Sequence, residues 1–92
     1  SEVEEGLDMK VYPNPSAEFE LVYVYIENEG WAQVDINIID IQGRVVKAMY
    51  SDQMKPGVHR MTFNKLALPS GQCIVQVKRN GQITKNEKII VL

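Results

Sequence analysis

In the segment Gln33-Val34-Asp35-Ile36-Asn37-Ile38-Ile39-Asp40-Ile41-Gln42-Gly43-Arg44-Val45-Val46, apolar Val34, Ile36 and Ile38 alternate with polar Asp35 and Asn37. A period of two is the signature of a strand with one buried face. β-Branched residues dominate, and they pack well on a pleated surface. The alternation breaks at Ile38-Ile39, which predicts a bulge near the strand end. Gln42-Gly43 supplies a tight turn, with Gly43 able to take positive φ. Val45 and Val46 then begin a return strand.

Outward from this hairpin the chain reads as more short strands. Residues 1–6 are polar and acidic, a linker or frayed terminus. Residues 7–12 form a first strand, stopped by Pro13-Asn14-Pro15, because proline donates no ladder hydrogen bond. Residues 18–27 form a second strand that is apolar on both faces: Leu21, Tyr23 and Tyr25 on one, Val22, Val24 and Ile26 on the other. Periodicity alone does not choose between them. Asn28-Glu29-Gly30 is a turn. Residues 31–41 and 44–50 are the third and fourth strands, and residues 51–57 a loop punctuated by Pro56-Gly57. Residues 58–64 follow, with Met61 and Phe63 inward. Pro69-Ser70-Gly71 turns into a strand over residues 73–78, with Cys73, Val75 and Val77 on one face. Asn80-Gly81 signals a hairpin, and residues 83–92 make the last strand. Seven short strands with regular turns and no helical period predict an all-β sandwich.

The 92 residues suffice for one domain with a modest core. Net charge is close to neutral but unevenly spread. Residues 1–52 hold eleven acids and three bases; residues 53–92 hold one acid and seven bases. Either the halves interleave in space and offset one another, or the C-terminal part carries a basic patch for an acidic partner. Nothing is long and apolar enough to span a membrane, and the opening residues lack the charge order of a signal peptide.

Catalytic parts are missing. A hydrolase needs a nucleophile beside a base, yet Ser16, Ser51 and Ser70 sit in turns and the one histidine, His59, lies on a strand. Cys73 is the lone cysteine, so it forms no internal disulfide, and beside Val75 and Val77 it reads as a small hydrophobe. Glu27, Glu29 and Asp52 could meet at one end of a sandwich and hold calcium, but solvated loop acids are the simpler reading. No cofactor or phosphate-binding motif is present. Bases are not interleaved with aromatics, which argues against nucleic acid. His59 reads as a cap at the core edge or as a recognition residue. Trp31 reads as a binding anchor or as a lid on one end of the sandwich.

Several segments in order carry a resemblance. Val11-Tyr12-Pro13-Asn14-Pro15-Ser16 is followed by the Val34, Ile36, Ile38 strand with Asp40-x-x-Gly43-Arg44. Gly57-Val58-His59, Leu68-Pro69-Ser70-Gly71 and a final Lys88-Ile89-Ile90-Val91 complete it. From Met9 to Leu92 the chain resembles the C-terminal sorting domain of type IX (Por) secretion cargo in Bacteroidetes. It departs at Cys73, where members usually carry an aromatic residue.

The resemblance implies an immunoglobulin-like sandwich over residues 9–92, joined by a linker over residues 1–8 to a longer cargo protein. It implies a signal and not an enzyme: transit through the periplasm, recognition by the outer-membrane translocon, and a final place at the cell surface or outside the cell. It further implies, in many members, removal by a sortase-like peptidase that attaches the cargo to anionic lipopolysaccharide, or retention as a docking domain on a secretion component. The tyrosine-to-glycine motif residues (Tyr12, Pro13, Asn14, Pro15, Asp40, Gly43, Arg44, Gly57, His59, Gly71) carry the structural pattern. Lys85, Lys88, Ile89, Ile90, Val91 and Leu92 are the expected recognition strand. A competing reading is an adhesion or carbohydrate-binding sandwich, for which Trp31, Tyr23 and Tyr25 are the available aromatic platform.

Overall fold

The computed structural model describes residues 6–12, 21–64 and 68–91. Among them are seven strands: β1 (Leu7–Tyr12), β2 (Leu21–Asn28), β3 (Ala32–Asp40), β4 (Val45–Met54), β5 (Gly57–Asn64), β6 (Gly71–Arg79) and β7 (Gln82–Val91). They form two antiparallel sheets, one of order β1-β2-β5 and one of order β4-β3-β6-β7. The fold is the expected all-β, immunoglobulin-like sandwich.

The core lies between the sheets and is mostly aliphatic. Val22, Val24 and Ile26 of β2 are fully buried and face Val34, Ile36 and Ile38 of β3 and Val75 and Val77 of β6 across the interior. The ambiguous second strand is thereby resolved: Leu21 and Tyr23 stand in solvent. Burying each such aliphatic side chain contributes about 1.5–3 kcal/mol. Cys73 is buried beside Val75, as its alternation predicts. Phe63 is buried and Met61 packs at the core margin.

β3 sits centrally in its sheet, paired on both sides. Its pairing with β4 shifts register between Ile38 and Ile39, where the alternation breaks, and also between Ile36 and Asn37. The Asn80-Gly81 turn joins β6 to β7 with both residues at positive φ, 53° and 83°, as a two-residue hairpin of primed type requires.

Residues 51–57 overturn an expectation. Ser51 to Met54 belong to β4, where Ser51 pairs with Asp35, Asp52 with Val34, Gln53 with Gln33 and Met54 with Ala32. β4 is an edge strand, exposed over most of its length. Such a strand needs no apolar alternation, so its polar sequence reads as a loop. Only Met54, at its end, is buried. β1 covers Leu7–Tyr12, the expected first strand, and Leu7 is fully buried.

Candidate recognition surface

The turn after β3 is built by one side chain. Asp40 Oδ1 accepts the backbone N–H groups of Gln42 and Arg44, both at 2.9 Å, and Oδ2 accepts the Arg44 Nε–H at 2.8 Å. The Gly43 N–H donates to the Asp40 carbonyl, and the Asp40 N–H to the Arg44 carbonyl. This is a three-residue hairpin loop in which the residue before the return strand must adopt a left-handed conformation. Gly43 holds φ at 86°. The Asp-x-x-Gly-Arg pattern is thus a local folding unit. The hydrogen bonds, led by the Arg44 N–H, hold the Asp40 carboxyl below its ordinary range. At the rim Ile41 and Val45 are exposed.

The expected recognition residues lie on β7, at the edge of the four-stranded sheet. Ile89 and Val91 point into the core, whereas Lys88 and Ile90 are exposed. Lys85 Nζ lies 3.8 Å from Asp8 Oδ1 on β1, a partly exposed contact across the gap between the sheets. Leu92 lies outside the described residues, as do Pro13, Asn14 and Pro15. Tyr12 ends β1, and Gly57 and Gly71 open β5 and β6. His59 Nε2 sits 2.8 Å from the Lys55 carbonyl, which ties the β4–β5 crossover to the start of β5. The described motif residues are therefore spread over several turns and strand ends and do not converge on one site.

Acids of the first half and bases of the second interleave: Asp35 pairs across strands with Lys78, and Asp8 meets Lys85.

A cluster invisible to sequence reasoning closes one end of the sandwich. Asn28 is the buried polar residue of the described core. Its Nδ2 donates to the carbonyls of Met54 (3.0 Å) and Lys55 (3.2 Å), and its Oδ1 accepts from Arg79 Nε at 3.3 Å. Arg79 also donates to the Gly30 carbonyl at 3.2 Å. Its guanidinium lies over Gly6, where an added Cβ would come within 2.6 Å of it. Partners 51 residues apart leave no local signal, and Arg79 and Asn28 read simply as turn residues.

The outer face of the β1-β2-β5 sheet carries a shallow groove of about 390 Å³ lined by Asp8, Lys10, Tyr12, Tyr25, Glu27 and Val58, among others. Tyr12 and Tyr25 meet edge to face, with centroids 5.7 Å apart and planes at 76°. They offer no flat shelf for a sugar ring. Trp31 is not on this face; it precedes β3 in the other sheet and is 68% exposed, so it does not lid the sandwich. Glu27, Glu29 and Asp52 do not gather, and among the described residues no three potential metal ligands do. No helix among the described residues is long and apolar enough to cross a membrane.

What fold and surface define together is a small β-sandwich whose distinctive sequence lies in turns and in an edge strand. Residues 10–92 match the model of the secretion-system C-terminal sorting domain, and the chain belongs to that family. Comparison with curated proteins and with solved structures gave no match. A domain of this family is the C-terminal secretion signal of the type IX system and not an enzyme. Its partner is the secretion machinery, and its role implies delivery to the outer membrane, the cell surface or the exterior.

Proposed function

We propose that the type IX translocon reads this signal in the periplasm through β7, with Lys85, Lys88 and the terminal aliphatics as the contact set. The observation that carries the reading is the division of labour along β7. Ile89 and Val91 anchor the strand in the core, while Lys88 and Ile90 are presented on an edge strand. Strand addition at an exposed edge is an established mode of recognition, with backbone bonds giving affinity and alternate side chains giving specificity. The test fuses residues 1–92 to an inert exported reporter in a type IX-competent cell and compares the parent with a Lys85→Glu, Lys88→Glu form. The parent should reach the surface. The reversed form should fold and stay in the periplasm. Normal export of the reversed form would remove the lysines from recognition while leaving the signal role intact.

Where a sortase-like peptidase removes the domain and attaches the cargo to anionic lipopolysaccharide, the cut falls before Gly6, whose carbonyl accepts the Glu29 N–H. Leu7 onward is paired sheet, and a peptidase needs extended, unpaired chain. Mass spectrometry of the released domain should find its N-terminus no later than residue 6; a fragment beginning within β1 would refute this.

A further inference from the structure

The outer face of the four-stranded sheet is polar over most of its area. β3 presents Gln33, Asp35 and Asn37 there, between the buried Val34, Ile36 and Ile38, and β6 presents Gln76 and Lys78. One cross-strand row breaks the pattern. Ile39 stands between Val45 of β4 and Ile74 of β6, and Ile74 stands beside Lys88 of β7. Aliphatic side chains therefore run from the β4 edge across the sheet to the strand that pairs with β7.

Folding accounts for part of this row. Ile39 and Ile74 are partly buried, and β-branched neighbours across strands support a sheet. Folding does not account for Val45, which is 58% exposed, or for Ile41 in the adjoining turn, which is 73% exposed. Both stay in water and add little to the core. Yet both are held in place, because the Asp40 carboxylate accepts the N–H groups of Gln42 and Arg44 in the loop that carries them. Apolar groups that are already fixed lose little freedom when a partner covers them.

We propose that the translocon component that reads β7 also covers this row, with Val45, Ile39 and Ile74 as its apolar contact and Ile41 at its margin. The inference rests on β7 being the strand that is read. Continuity supports it: the row meets Lys88 directly, and from β7 to β4 it crosses three strand spacings, about 14 Å. A strand added to β7 continues this sheet, so a partner seated there has the row within reach. Charge supports it as well. At the β4 end Arg44 is paired with Asp40, so Lys88 sets the sign of the row. The partner that fits is an aliphatic surface of the secretion machinery with a carboxylate at the Lys88 end.

The reporter fusion of residues 1–92 reads the result as a rate of surface delivery, with thermal melting of the 92-residue chain as the control for folding. Ile41→Ser combined with Val45→Thr and Ile74→Thr keeps β-branching on the strands and removes the apolar surface. This form should remain folded and be delivered more slowly by on the order of 10-fold. Asn37→Thr with Gln76→Thr alters the neighbouring polar row and should be delivered at the parent rate. Ile41→Ser alone leaves every strand intact, so it decides the matter if the combined form melts low; it should slow delivery by about 2- to 3-fold. Delivery of the folded aliphatic-row variants at the parent rate would overturn the proposal. If the Lys85→Glu, Lys88→Glu form still stays in the periplasm, β7 is then read without this face; if that form is delivered too, the β7 reading falls with it. A polar-row form as slow as the aliphatic one would also overturn the proposal, because the aliphatic row would then have no special part.

Discussion

Asp40 is largely shielded at the end of β3 and holds a turn together, and the consequence is a dependence on pH. Its carboxyl is held low chiefly by the Arg44 backbone N–H, aided by the Arg44 side chain and the Gln42 N–H. A group whose folded pKa is depressed contributes stability above its unfolded pKa, and that contribution is lost as pH falls through the folded one. The loss therefore begins near the ordinary carboxyl value of 3.8 and continues below it. The melting temperature of Asp40→Asn should lie below the parent at pH 6, and the gap should close as pH drops under that value. A gap that is constant with pH would mean that the carboxylate charge is irrelevant to the turn. Gly43→Val tests the same loop through the backbone. With φ at 86°, a β-branched residue is strained, and the variant should lose about 1 kcal/mol or more in denaturant unfolding.

Cys73 makes the opposite case. Burial, and then the nearby Asp40 charge, push its thiol up, so it is a poor nucleophile in the folded state. Labelling by a thiol reagent should be slow in buffer and fast in denaturant. Rapid labelling of the native chain would contradict its position in the core.

β4 shows what an element can hide. Its C-terminal half is polar and reads as a loop, yet Met54 is 1% exposed and its carbonyl accepts the Asn28 side-chain amide. Met54→Ala should cost about 2–5 kcal/mol, the range for truncating a buried methionine; a surface-like change of a few tenths would restore the loop reading. The strands legible in advance were those with one face in the core, such as β3 and β6, because burial imprints alternation on sequence. The Asp40 turn was legible for a similar reason: its parts lie within five consecutive residues. β4, an edge strand exposed over most of its length, leaves no such imprint. Nor does the Asn28–Arg79 cluster, whose partners meet only after both sheets have formed. The recognition strand was readable as a strand, but which of its residues face outward depended on its pairing with β6.

For the molecule as a whole, the terminal strand must serve folding and reading at once, and alternation allows the two to be separated. Ile89 is fully buried and Ile90 is 38% exposed, one residue apart on β7. Ile89→Ala removes core contact and should lower stability by about 2–5 kcal/mol. Ile90→Asp changes an outward side chain, and surface changes usually stay within about 0.5 kcal/mol. In the reporter fusion the second variant should melt like the parent yet remain in the periplasm. The first should regain export when growth temperature is lowered enough to keep it folded. Deleting residues 89–92 should abolish both properties, since Ile89 and Val91 leave the core with it. If Ile90→Asp is exported normally while the deletion is not, the machinery requires only a folded sandwich, and the outward side of β7 carries no address.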